Sequence, residues 1–117
     1  MTGSTDERMA ADLAAWGKAI VLETTGRHSG RARRVTIGFI ERDGALLVAS
    51  ASDGTHWARN LLAEPRCHAE SRGLRRAYRA QLLDDRERDA TVVALILKYG
   101  TPAERLGGGP AFRLVPA

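Results

Sequence analysis

Apolar positions recur along the chain with two different periods, and the switches between them mark out the elements. Near the start, Met9, Leu13 and Trp16 fall at i, i+4 and i+7, the spacing of one helical side. Thr5 or Asp6 offers an N-cap and Gly17 a stop. AIVLETT, from Ala19, is rich in β-branched residues and reads as a strand. RRVTIGFIE resumes a strand, with Val35, Ile37 and Phe39 alternating to one face. Arg42-Asp43-Gly44 is a hairpin turn, and ALLVASAS after it is apolar enough to be buried on both faces. SDGTHWARNLLAEP then changes texture: Asp53 or Thr55 caps a helix whose face is Trp57, Leu61 and Leu62, and Pro65 ends it. CHAESRGLRRAYRAQLL reads as two strands around Ser71-Arg72-Gly73. DDRERDATVVALILKYG is a helix with acidic residues at its start and an apolar stripe of Val92, Val93, Leu95, Ile96 and Tyr99. Lys98 and Gly100 close it. GGGP is a flexible turn before a last strand, AFRLVP.

Five or six strands joined mostly by hairpins, with two or three inserted helices, predict an antiparallel α+β domain built as a barrel. The βαβα alternation of a doubly wound sheet is missing. The 117 residues suit one domain spanning 1–117, with room for a single core. No apolar run approaches the roughly 20 residues of a membrane span. The start has no secretory apolar core. Cys67 is the only cysteine, which excludes an internal disulfide and fits a reducing cytoplasm. With three histidines it shows no metal-ligand spacing, so no metal is expected.

Charge adds one local feature. The chain carries 18 Lys+Arg against 14 Asp+Glu, a net of +4. Arg27, Arg31, Arg33 and Arg34 account for all of that excess. They crowd into TTGRHSGRARR, Thr24 to Arg34, between two predicted strands. One basic loop points to a compact anion such as a phosphate group, where a uniformly basic protein points to a long polyanion. Gly26 and Gly30 allow a tight turn with outward N–H groups, Thr25 and Ser29 add hydroxyls, and each guanidinium is a planar fork for phosphate or carboxylate. A solvated hairpin tip is the bland alternative. The dinucleotide and P-loop glycine patterns need a following helix, and here a strand follows.

Other residues invite chemistry with less insistence. Trp57, beside Asp53, Thr55 and His56, either stacks on a planar ring or packs in the core with Leu61. Asn60 either donates to a ring carbonyl or caps the neighbouring loop. Ser29 beside His28 lacks the elbow and placed carboxylate of a serine hydrolase. Cys67 reads as a small core residue and His68 as its exposed neighbour. Single-strand nucleic-acid binding wants aromatics among the arginines, and Thr24 to Arg34 has none.

The order of three motifs resembles a known family. T-T-G-R-x-S-G-x-x-R, then V-A-S after the Asp-Gly turn, then W-x-x-N-L followed by proline, look like the deazaflavin (F420)-dependent nitroreductase family. The likeness runs from about Val21 to Val115. It implies a split β-barrel, Greek-key-like, of six or seven strands that binds coenzyme F420. It implies that Arg27, His28, Ser29 and Gly30, with Arg33 or Arg34 and Arg33 preferred, hold the phosphate and polyglutamate tail. Ser50, Ala51, Ser52, Trp57 and Asn60 then match positions near the deazaflavin ring. The reaction implied is hydride transfer between F420 and a small molecule, with Tyr99 as first candidate for the proton and His56 and Ser50 behind it. The departures are His28 where many relatives have lysine, a shorter loop before Trp57, and only Tyr99 where nitro-reducing relatives carry several tyrosines. Readings that compete within this fold are an FMN-binding reductase or oxidase and a non-catalytic cofactor carrier; a nucleic-acid module is the rival outside it. The protein is expected as a monomer or a homodimer.

Overall fold

The computed structural model describes residues 17–100 and 106–117, so the helix expected over Thr5–Trp16 lies outside the described residues. Seven strands follow in chain order: β1 (Ile20–Thr25), β2 (Ala32–Ile37), β3 (Ile40–Arg42), β4 (Ala45–Ala49), β5 (Arg66–Ser71), β6 (Leu74–Leu82) and β7 (Ala111–Pro116). Helix α1 (His56–Ala63) lies between β4 and β5, and α2 (Asp85–Tyr99) between β6 and β7. All strands join one sheet in the order β2-β1-β5-β6-β7-β4-β3, and every pairing is antiparallel.

That order forces the sheet to curl. β2 and β3 sit on opposite edges, yet only Gly38 and Phe39 separate them in sequence. Three Cα steps reach about 11 Å at most, whereas the edges of a flat seven-stranded sheet lie about 29 Å apart. Rolling the sheet brings the edges together, and the result is the split barrel expected from the resemblance. The single strand expected over RRVTIGFIE is therefore two strands, broken where the chain steps from one edge to the other. Gly38 permits the break, because a Cβ there would meet the Tyr99 ring at 2.8–3.0 Å. The Tyr99 hydroxyl accepts from the Phe39 N–H (3.1 Å) and donates to the Lys18 carbonyl (2.6 Å). Lys98 Nζ donates to the Phe39 carbonyl at 2.7 Å and sits 3.7 Å over the Phe39 ring. The end of α2 thus clasps the barrel's slit.

Alternation decides which side chains fill the interior. Ile20 and Leu22 of β1, Cys67 and Ala69 of β5, Leu46 and Val48 of β4, and Phe112 and Leu114 of β7 point inward, joined by Trp57, Ala58 and Leu61 of α1. The opposite face of β4 and β7, through Leu47, Ala49 and Ala111, packs under Leu95 of α2. β4 is consequently buried along its whole length, as its apolar run predicts. The α2 stripe is narrower than its sequence suggests. Thr91 and Leu95 are buried, with Val92 and Ile96 packed against the same cluster, but Val93 is exposed. A short sheet flank can cover only one side of a helix that is apolar on two.

The turns at Asp43-Gly44 and Arg72-Gly73 both take positive φ at both residues, the two-residue hairpin geometry that matches strand twist. The glycine run is more constrained than a flexible turn. A Cβ at Gly108 would strike the Ala51 carbonyl and one at Gly109 the Ser52 backbone. The run lies tight against the segment after β4, tied by Gly107 N–H to Ser50 O and Ser50 N–H to Pro110 O. Among the described residues, no helix is long and apolar enough to cross a membrane.

Candidate cofactor-binding site

The basic segment forms the β1–β2 connection, and it leans over the N-terminal turn of α1. Between them opens a pocket of about 630 Å³. Its lining comes from β1 and β2 (Thr24, Arg33, Arg34, Val35), the connection (Gly26, Arg27, His28, Ser29) and α1 with its cap (Thr55, His56, Trp57, Asn60). Three arginines, two histidines and no carboxylate stand in that wall, so the field inside favours an anion.

The connection is internally braced. Gly26 N–H donates to the Arg31 carbonyl and Gly30 N–H to the Gly26 carbonyl, both at 2.8 Å, while Arg31 N–H donates to Ser29 Oγ at 3.2 Å. Gly30 has φ 71°, the left-handed turn that suits glycine. These bonds, with the one Arg27 N–H makes to Asn60, consume most of the N–H groups expected to face outward. Anion affinity falls instead to the guanidinium groups.

Strand parity sorts the arginines. Arg33 pairs with Thr24, and Val35 with Leu22; Thr24 and Leu22 are buried, so Arg33 faces the pocket side. Arg34 borders the pocket but pairs with Glu23 on the other face, where its Nε donates to Glu23 Oε2 at 3.0 Å, so its charge is already answered by a carboxylate. Glu23 also accepts from Arg75 Nη2 at 2.7 Å. The Arg75 hydrogen bond is the largest influence on the Glu23 carboxyl; burial opposes it, and the Arg34 hydrogen bond with the two positive charges leaves the group below its ordinary value. The same parity makes buried Thr24, rather than exposed Thr25, the pocket threonine. Thr24, Val35 and Thr55 escape a motif-based reading, and only inward alternation along β1 and β2 could have pointed to the first two.

Arg27 is held by α1. Its N–H and its Nη1 both donate to Asn60 Oδ1, at 3.2 and 2.8 Å. Nη1 also approaches the His56 carbonyl at 3.4 Å, and Nη2 lies 3.3 Å from His56 Nδ1. Asn60 thus caps the loop, one of its two sequence readings. Trp57 takes the core reading and borders the pocket as well. It is 9% exposed and tilted against Phe112, with centroids 6.1 Å apart, yet it also forms part of the pocket wall.

Other expected site residues lie apart from this wall. Tyr99 does not line the pocket; its hydroxyl serves the slit clasp described above. Ser50 is 1% exposed, and its Oγ donates to the Pro110 carbonyl at 2.6 Å. Ala51 and Ser52 are exposed against the glycine run, outside the lining. Gly30 shapes the loop without forming part of the wall. Cys67 is buried, its thiol pushed up to about 11 by desolvation, and His68 is half-buried. Among the described residues no cluster of His, Cys, Asp or Glu could hold a metal ion.

A curled antiparallel barrel with a cationic pocket beside an indole defines a split-barrel protein whose pocket favours an anionic ligand. The model of the F420H(2)-dependent quinone reductase family matches residues 4–103, and the chain belongs to that family. No curated protein sequence matches it. Among solved structures it is similar to an F420-H2 dependent reductase, FDR-A, at 23% identity and a TM-score of 0.68, covering 83% of this chain and 93% of that one. A structure described as a domain-swapped dimer is similar at 21% identity and a TM-score of 0.64, over 97% and 98%. HutZ, the heme storage protein of Vibrio cholerae, is similar at 18% identity and a TM-score of 0.66, over 95% and 89%. At these identities the structural neighbours speak to the fold, which they share. The family makes the protein an oxidoreductase whose cofactor is coenzyme F420. The pocket suits that cofactor chemically: its lining joins guanidinium groups, the kind of donor that matches phosphate and carboxylate, with the apolar surfaces of Val35 and Trp57.

Proposed function

We propose that residues 1–117 form one split-barrel domain that transfers a hydride from F420H2 to a small planar acceptor of the quinone type. The acceptor class follows the family's name. The observation that carries the reading is the pocket wall itself, which holds Arg27 and Arg33, no carboxylate, and Trp57. Arg27 and Arg33 grip the phosphate and the glutamate tail, and His28 and Ser29 flank them. Trp57 and Val35 bear on the ring.

When bound, the reduced deazaflavin supplies the hydride and gives up a proton, so a quinone leaves as its hydroquinone without a further reductant. This chain's own residues bind the handle, orient the ring and exclude water from it. His56, which lines the pocket beside Trp57, is the residue proposed to pass the proton, since Tyr99 and Ser50, the other two candidates, are committed to backbone carbonyls. The single buried cysteine supports a cytoplasmic setting.

The test follows the 420 nm absorbance of the cofactor as F420H2 and menadione are mixed with the protein. Turnover with the wild type, and an F420 affinity at least about tenfold weaker in Arg27→Ala, are the expected results. Tight F420 binding unaffected by Arg27→Ala would remove the handle from this pocket, and absent turnover with menadione and related quinones would remove the acceptor class.

A further inference from the structure

Asn60 is 4% exposed and sits on the inner side of α1. Among the described residues, all three hydrogen bonds of its side chain reach the end of β1 and the loop that follows. Its carbonyl oxygen accepts twice from one residue, the N–H (3.2 Å) and the Nη1 (2.8 Å) of Arg27. Its amide donates to Thr24 Oγ1 at 3.1 Å, and Thr24 is itself 2% exposed. One buried amide therefore fixes both where the basic loop leaves the strand and where its first guanidinium points. The contacts of Arg27 to His56, at 3.3–3.4 Å and exposed, are longer and wetter.

The choice of amide over carboxylate has an electrostatic consequence. A neutral carbonyl can orient a guanidinium while leaving its charge available to a ligand. An aspartate at the same place would keep the geometry and cancel the charge. Arginine has five donors in a rigid fork, and Asn60 takes Nη1 while Nε makes no bond among the described residues. We infer that Asn60 is a positioning residue: through Arg27, it holds an unspent positive charge ready for the cofactor's anionic handle. The inference rests on the placement of that handle at Arg27 under Proposed function. It departs from a role for Asn60 as a contact to the deazaflavin ring.

The two roles separate with a ligand that lacks the handle. Fluorescence titrations would use oxidised F420 and its 8-hydroxy-5-deazariboflavin head, against the wild type, Arg27→Ala, Asn60→Ala, Asn60→Asp and the double Arg27→Ala/Asn60→Ala variant. Positioning through Arg27 predicts that Asn60→Ala weakens F420 about threefold to tenfold and leaves the head's affinity unchanged. Asn60→Asp, with a thermal transition like the wild type's, should weaken F420 at least as much. The double variant should bind no more weakly than Arg27→Ala alone, because the effect of Asn60 passes through that arginine. Additive losses, equal losses for F420 and the head, or full affinity in Asn60→Asp would each overturn the inference. Unchanged F420 affinity in Arg27→Ala would instead fault the placement of the handle, a different failure. Should Asn60→Ala not fold, the isosteric aspartate carries the test alone.

Discussion

At the scale of single residues, two neighbouring arginines do opposite jobs because a strand sends successive side chains to opposite faces. Arg33 shares its face with buried Thr24, whereas Arg34 is tied to Glu23 on the other. Arg33→Ala should weaken F420 about tenfold, the order of one charge-assisted hydrogen bond, and Arg34→Ala by less than about twofold; parallel fluorescence titrations decide between them. Glu23 makes the outer face sensitive to acid. Its folded-state carboxyl titrates below the ordinary 4.5 because of Arg75 and Arg34, so its contribution to stability is present above pH 4.5 and is lost as the pH falls through the folded value. The melting temperature of the wild type should therefore fall more steeply below that pH than that of Glu23→Gln. Parallel curves would show that the cluster adds nothing, as exposed ion pairs often do not. The sequence showed four arginines in one loop, but their division between two faces needed the register.

At the scale of elements, the clearest expectations were those carried by local chemistry. Both hairpin turns, the caps of α2 and the doubly buried β4 follow from turn residues, capping residues and apolar alternation. Asp84 accepts the Glu87 N–H at 2.8 Å, and Gly100 ends the helix at φ 91°. The break at Gly38-Phe39 was illegible, since nothing local forbids Val35 to Glu41 from running straight. Its cause lies about 60 residues away, in the Tyr99 ring against Gly38 and the Tyr99 hydroxyl on Phe39 and Lys18. Tyr99→Phe should cost about 1–2 kcal/mol in urea unfolding, having removed the hydroxyl that bonds the Phe39 N–H and the Lys18 carbonyl. F420 affinity should stay unchanged. A large loss of binding with normal stability would return Tyr99 to the site.

At the scale of the molecule, the pocket is a consequence of closure. The rolled sheet brings β1 and β2 around to face α1, and α1 plugs the interior with Trp57, Ala58 and Leu61. The same helix offers Asn60 to the loop and His56 and Trp57 to the pocket. A loop rich in like charges would repel itself if left to solvent; fastened at Arg27 and Gly26 it becomes a fixed cationic wall. Ligand preorganisation of this kind lowers the ordering cost of binding.

From the sequence alone came the described elements apart from the β2–β3 break, the two hairpin turns, the basic loop and the family likeness that foretold F420 and the split barrel. These are legible because period, turn chemistry and motif order are properties of neighbours along the chain. Only the tertiary structure decided which arginine faces the pocket, that Asn60 turns to Arg27 and Thr24, and that Tyr99 closes the slit. The first depends on the register of the β1–β2 hairpin; the others depend on which distant segments the curled sheet brings within hydrogen-bond reach, and no local pattern encodes a contact between residues 33 to 81 positions apart.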